Sequence, residues 1–287
     1  MEIGIGIPNT LLDVPGGVFV DWAQRAEGRG FSTLATIGRI VYPGDDELVS
    51  LAAASAVTTR IGLLTNILLA PAFPTALLAR QTTTLARLSD GRFTLGVAVG
   101  GRADDFSIMG ASFRRRGRRF DKQLEGLHAV WQGNPMPDTE APVAPLAPGG
   151  KVPILFGGQP RVAAPRAVRW NGGFTIGGAS PDMAAAAAQE FRNLYADLGG
   201  TETPRVVSLM YFSLGGEHTE ESLRNLRTYY AFLGDWVEAI AQGAARSEDD
   251  LRDRLKAYEE AGIDEVVLDP TVATLDQVDR AADVVFG

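Results

Sequence analysis

Short apolar runs alternate with helical stretches along the whole of this chain, and that rhythm limits its fold more than any other feature. β-branched or wholly apolar runs occupy residues 2–7, 31–37, 60–69, 93–99, 153–156, 173–176, 205–212 and 264–268. Helical spacing fills the intervals at 18–27, 46–58, 74–88, 117–131, 161–170 (interrupted near its start by Pro165), 181–198, 219–242 (one or two helices, broken near Gly234), 247–261 and 275–286. The punctuation agrees: Gly28 and Gly30 stop the first helix, Pro74 stands in the first turn of another, and Ser247 precedes Asp250 at capping-box spacing. The run Arg60 to Leu69 is almost wholly apolar, as a strand buried on both faces is. Such alternation implies a parallel sheet. Eight units within 287 residues predict a single-domain (β/α)8 barrel, the TIM-barrel architecture, which needs roughly 250 residues. A doubly wound open sheet is the competing arrangement. Residues 134–150, rich in Pro, Ala and Gly, read as a surface insertion.

Composition removes several functions. The chain has no cysteine and only two histidines, His128 and His218, so thiolate nucleophiles, disulfides and histidine-rich metal sites are excluded. Absence of cysteine fits a cytoplasmic protein. A formal charge of −8 argues against a nucleic-acid partner despite the basic run Arg114, Arg115, Arg116, Arg118 and Arg119. That run reads as a solvated helix start or as a substrate clamp. Residues 1–8 lack the basic region and apolar core of a signal peptide. No apolar run approaches the roughly 18 residues of a membrane span.

In a parallel barrel the chemistry sits at the C-terminal strand ends. Those ends hold no His, Cys or Lys, and Asp269 is their only acid. A hydrolase or aldolase would want a carboxylate pair, a metal cluster or a Schiff-base lysine there. What the ends hold instead is glycine: Gly100-Gly101, Gly157-Gly158 and Gly177-Gly178 close three successive strands. Glycine admits a ligand close to the backbone and exposes N–H groups to an anion, and a following helix N-terminus adds its dipole. Each pair also reads as simple turn geometry. Arg39, just past the second strand, is read equally as a ligand contact or a structural ion pair. His128 reads as a packing histidine and His218 as solvent-facing. Tyr42, Phe73, Phe106, Tyr211 and Trp236 are candidates to line an apolar pocket, with core packing as the alternative. The pattern suits a large flat ligand with a phosphate, with the reaction left to a cofactor.

The stretch Leu85-Ala86-Arg87-Leu88-Ser89-Asp90-Gly91-Arg92-Phe93-Thr94-Leu95-Gly96-Val97-Ala98-Val99-Gly100 resembles the luciferase-like monooxygenases. So do the run Thr59 to Pro71, Ala79-Arg80-Gln81, Arg118-Arg119-Phe120-Asp121, Pro153 to Gly158, and Asn171-Gly172-Gly173-Phe174. The similarity is strong over 1–133, fair to about 180 and architectural beyond, as in a short actinobacterial-type member. The resemblance implies a (β/α)8 barrel, usually a homodimer, that uses reduced FMN or the deazaflavin coenzyme F420 on a small-molecule substrate, with a separate flavin or F420 reductase as a further partner. It implies a non-prolyl cis peptide at Asn66–Ile67. It also implies cofactor contacts from Thr65, Asn66, Ile67, Val99, Gly100, Gly157, Gly158, Gly177, Gly178 and Ala179. Two departures stand out: Gly38-Arg39 replaces the Asp-His or Glu-His of many members, and Val99 stands where luciferases proper carry an arginine. The long insertion of the larger flavin monooxygenases has no counterpart.

Three functions are therefore expected, in this order. The first is a flavin- or F420-dependent oxidoreductase or monooxygenase with Arg39 set against an anionic substrate or intermediate. The second is a non-redox barrel enzyme acting on a phosphorylated small molecule with Asp269 as base. The third is a cofactor-binding protein without catalysis of its own.

Overall fold

The computed structural model describes residues 1–136 and 139–287. Eight parallel strands close on themselves: β1 (Glu2–Gly6), β2 (Thr33–Thr36), β3 (Gly62–Leu68), β4 (Phe93–Val97), β5 (Ile154–Gly157), β6 (Gly173–Ile176), β7 (Val206–Phe212) and β8 (Glu265–Pro270). The ring shuts where β1 pairs with β8, Glu2 opposite Glu265 and Ile5 opposite Leu268. The open-sheet alternative is thereby excluded.

Helices cover the outside: α1 (Gly16–Arg29), α2 (Glu47–Ala56), α3 (Thr75–Leu88), α4 (Ala103–Ile108), α5 (Arg116–Trp131), α6 (Pro160–Trp170), α7 (Pro181–Asp197), α8 (Thr219–Tyr230), α9 (Val237–Gln242), α10 (Glu248–Glu260) and α11 (Asp276–Phe286). The short α4 is absent from the sequence reading, since six residues show too little of the 3.6 period to be read. Helix α6 runs through Pro165 without a break. The lost bond falls on the carbonyl of Arg161, in the exposed first turn. Between α8 and α9 the chain does break at Gly234, whose backbone (φ 57°, ψ −129°) is open only to glycine.

Trp22 on α1 and Trp131 on α5 are fully buried in the main core, packed with the helices around the strands. Inside the ring, Ala35, Leu64, Leu155, Val207 and Val267 form a separate packed layer, so the barrel is a core and not a pore. The stretch predicted as a surface insertion links α5 to β5. Part of it is exposed, but Ala147 is buried and Val143 and Ala144 pack on the core. Residues 137 and 138 of it lie outside the described residues. No helix among the described residues is long and apolar enough to cross a membrane.

Candidate active site

The C-terminal ends of the strands surround a cavity of about 560 Å³, the size of a small-molecule site. Its walls are the end of β2 (Ile37, Gly38, Arg39), Asn66 and Ile67 of β3, Gly100 to Arg102 with Asp105, Gly177 and Gly178 after β6, Tyr211 of β7, and Tyr229, Tyr230, Phe232 and Leu233 where α8 returns over the mouth.

Arg39 sits in an aromatic cage. Its guanidinium carbon lies 5.2 Å from the Tyr42 ring centre, 5.7 Å from Tyr229 and 4.7 Å from Phe232. Nη1 donates to the Tyr229 carbonyl at 2.5 Å, while the buried Nε has no partner. Among the described residues no carboxylate approaches it within ion-pair distance, and the ion pairs nearby are those of Arg102, so Arg39 is not a structural ion pair. Arg102 presses on the same Phe232 ring, 4.4 Å from its centre, and pairs with Asp104 and, at 3.5 Å, with Asp105. Asp105 also accepts from the Val41 amide at 2.8 Å, which ties the β2 loop to α4.

On the adjacent strand β3 the Asn66–Ile67 peptide is cis. The Asn66 Oδ1 accepts from Thr175 at 2.5 Å, and its buried Nδ2 has no partner. Gly100 adopts a positive φ of 72°, and its carbonyl is held by Arg116 Nε at 3.0 Å. Arg116 stacks on Phe113, and Arg119 donates to the Phe73 carbonyl. These members of the arginine run fasten loops and do not face the cavity.

The sequence-predicted residues thus divide. Arg39, Asn66, Ile67, Gly100, Gly177 and Gly178 meet in one cavity. Thr65, Val99, Gly157, Gly158 and Ala179 stand outside its lining. The buried Thr65 hydroxyl donates to the Gly96 carbonyl and accepts from the Gly96 amide, joining β3 to β4. Val99 packs against the main core. Gly157 is wedged among Ile67, Ala98 and Thr175, whereas Gly158 (φ 104°) faces open space. The Ala179 carbonyl receives the Tyr258 hydroxyl at 2.5 Å.

Of the aromatic candidates, Tyr211 lines the cavity and Tyr42 cages Arg39, Phe106 is fully buried with Phe73 against its cluster, and Trp236 is 75% exposed. His128 lies at the other end of the barrel, stacked on Trp170 with ring centres 4.0 Å apart and Nδ1 bonded to the Leu124 carbonyl. Burial holds its pKa below the usual histidine value. His218 sits 3.7 Å from Glu217, also away from the cavity.

Four features escaped the sequence reading. Tyr229, Tyr230 and Phe232 belong to a helix end, not a strand end, though the cluster Tyr229-Tyr230-Ala231-Phe232 was a visible signal. Glu47, at the start of α2, is the fourth. Its carboxyl rests on Gly38 so closely that a Cβ there would lie 1.7 Å from Oε1. Burial, with Asp46 and Asp105 nearby, pushes Glu47 up to about 7. Asp269, the one acid the sequence offered as a base, is buried behind the lining with an unpartnered Oδ1, and burial pushes its carboxyl well above the usual range. Among the described residues no cluster of acids and histidines is placed to hold a metal.

A profile of the family described as luciferase-like monooxygenase matches residues 1–280. An uncharacterized protein of Mycobacterium tuberculosis is 29% identical over 231 residues, covering 69% of this chain and 79% of that protein. Three solved structures share the fold. The monooxygenase RslO1 from Streptomyces bottropensis superposes with a TM-score of 0.81 at 19% identity, over 99% of this chain and 97% of that one. An F420-dependent secondary alcohol dehydrogenase, solved with an F420–acetone adduct, gives 0.79 at 17% over 99% and 98%. The oxygenating constituent of 3,6-diketocamphane monooxygenase from Pseudomonas putida, solved with FMN, gives 0.75 at 15% over 99% and 98%.

Proposed function

The chain belongs to the luciferase-like monooxygenase family, and from that premise we propose that it is an oxidoreductase using reduced FMN or F420 on a small organic substrate. The observation that carries this reading is a cavity with unanswered polar groups and no resident acid–base pair in its lining. Asn66 Nδ2 and Arg39 Nε are buried at its walls without partners, and such groups cost about 1–3 kcal/mol each unless a ligand satisfies them. A flavin-type ring carries carbonyl and nitrogen acceptors that fit these donors. Gly177 leaves open space at the end of β6, and Ser180 caps the long helix α7 beside it, a suitable seat for a phosphate. The residues present therefore fit the group.

When bound, the cofactor supplies hydride transfer or oxygen activation. The chain's own residues do the rest. Asn66 would orient the ring, Arg39 would hold an anionic substrate or intermediate, and the Tyr229–Phe232 segment would keep water from the cavity. Arg39 lies in the loop after β2 beside Tyr229 and Phe232, and its charge is assigned to the reacting end.

The non-redox reading needs Asp269 as a base. A carboxyl buried behind the lining, whose pKa burial pushes well above the usual range, is poorly placed to serve as one. Titration of the apo-protein with FMN and F420, oxidised and reduced, tests the proposal. Saturable binding of one of them, followed by turnover with an added reductant or substrate, supports it. Failure of both to bind below high micromolar ends it, and binding without any turnover leaves a cofactor carrier in its place.

A further inference from the structure

Tyr211 on β7 and Tyr230 at the end of α8 both line the cavity, and their hydroxyl oxygens lie 2.5 Å apart. Either phenol can donate to the other. Whichever does, only one of the two protons is used, and among the described residues no other group accepts from either hydroxyl. One O–H is left for whatever occupies the cavity. Burial keeps the pair neutral: Tyr230 is pushed up to about 12 and Tyr211 well above the usual tyrosine value. They act as donors and not as bases.

A cation stands beside the pair. The Arg39 guanidinium stands on the same side of the mouth, bonded to the Tyr229 carbonyl and close enough to pull down the Tyr230 pKa against the effect of burial. Asp269, the nearest acid behind the phenols, acts with burial to raise the pKa of both, which keeps their protons in place for donation. The fold also makes room for the arrangement. A Cβ on Gly178 would lie 3.0 Å from the Tyr211 ring, so glycine there lets the ring stand against the end of β6 without a shift.

We propose that the Tyr211–Tyr230 hydroxyl pair, backed by Arg39, is an oxyanion-binding site that selects substrates whose reacting oxygen is a phenolate, an enolate or a carbonyl that gathers negative charge. This names the substrate class of the cavity and rests on that cavity being the reaction site, but oxyanion binding itself needs no cofactor. Fixed neutral donors aimed at a developing anion in a partly dry site are an effective form of electrostatic stabilisation.

The probe is para-nitrophenol, whose ionised form has its own visible absorption. Mixed with the full-length apo-protein, it binds as the phenolate, and its ionisation moves to lower pH than in free solution. Tyr230→Phe and Tyr211→Phe each weaken nitrophenolate binding by roughly tenfold or more, the effect of losing a hydrogen bond to a charged group. The neutral para-nitroanisole binds all three proteins alike. Two separate variants guard against one failing to fold. Equal binding of nitrophenolate by wild type and both folded variants overturns the inference, as does an unshifted ionisation of the bound probe. Parallel titrations with FMN and F420 separate this from the broader reading. Cofactor binding without phenolate selectivity sinks the oxyanion site alone, while phenolate selectivity without cofactor binding supports the site and sinks the cofactor.

Discussion

At the N-terminal end of the barrel, Arg92 makes five hydrogen bonds: Nε to Ser89 O, Nη1 to Thr58 Oγ1 and Ile61 O, and Nη2 to Ser55 O and Thr58 O. At the C-terminal end, Arg39 makes one, to Tyr229 O, and keeps a buried Nε idle. The contrast extends to their neighbours. Glu27, at the foot of β3, accepts from the amides of Thr59, Arg60 and Ile61, and Arg205 pairs with the buried Glu265 at the foot of β8. At the other end Asn66 Nδ2 and Asp269 Oδ1 are buried and unmatched. Both ends belong to one barrel of the same strands. One joins elements through its arginines, and the other leaves these cavity-side atoms unpaired.

Substitutions at the two ends should therefore fail in different ways. The largest effect is expected from Arg92→Ala, which strands several carbonyls and costs about 3–4 kcal/mol in denaturant unfolding. Whatever fraction stays folded should bind cofactor normally, and impaired binding by the folded fraction would break the comparison. Arg39→Ala should do the reverse, lowering turnover roughly 100-fold while leaving the unfolding midpoint within about 0.5 kcal/mol of wild type. A large loss of stability would make Arg39 a structural residue.

Glu47 offers a pH test. Its folded pKa is raised from 4.5 to about 7, so its contribution to stability is full below the unfolded value and is lost as pH rises through the folded one. Wild type should lose about 2 kcal/mol relative to Glu47→Gln between about pH 5 and about pH 7, a slope that denaturation at several pH values would read. Parallel profiles for the two proteins would contradict the buried setting of this carboxyl. Asp269 carries the same sign, so Asp269→Asn should gain on wild type as pH rises, and its turnover should survive. Abolished turnover would restore Asp269 as a base.

The smallest effect is at Glu27. Burial opposes its charge, but three backbone amides prevail and hold its pKa below the usual carboxylate value. Its stabilisation is present above the unfolded pKa and lost as pH falls through the folded one. Glu27→Gln should cost about 1 kcal/mol near neutral pH and nothing in acid, as thermal melts at the two pH values would show.

The same contrast explains what could be read in the sequence. Alternation is a local pattern, so the barrel and its strands were legible to within a few residues. The most family-specific stretch, around Ser89, Asp90, Gly91 and Arg92, turns out to lie at the joining end: Asp90 and Gly91 adopt positive φ and Arg92 ties β4 to the loop after α2. It announced the fold and not the chemistry. Arg39, Gly100 and the Gly177-Gly178 pair were reached because strand ends can be counted along the chain, and Asn66 through the family resemblance. Tyr229, Tyr230 and Phe232 were not, because α8 reaches the mouth only through the closed ring, which sets Tyr230 beside Tyr211. Nothing in the sequence singles out Glu47, an acid in the first turn of α2. Its burial depends on the missing side chain at Gly38, a relation no single-chain pattern displays.

We propose that the unmatched Asn66 Nδ2 at the C-terminal end donates to a flavin-type cofactor. This is tested most directly by cofactor titration of apo wild type, Arg92→Lys and Asn66→Asp. The last variant keeps the acceptor that Thr175 uses and replaces the idle Nδ2 donor with oxygen. Equal affinity for FMN or F420 in wild type and Arg92→Lys, with a loss of roughly tenfold or more in Asn66→Asp, is the predicted result. Unchanged affinity in Asn66→Asp, or no binding by wild type, would contradict it.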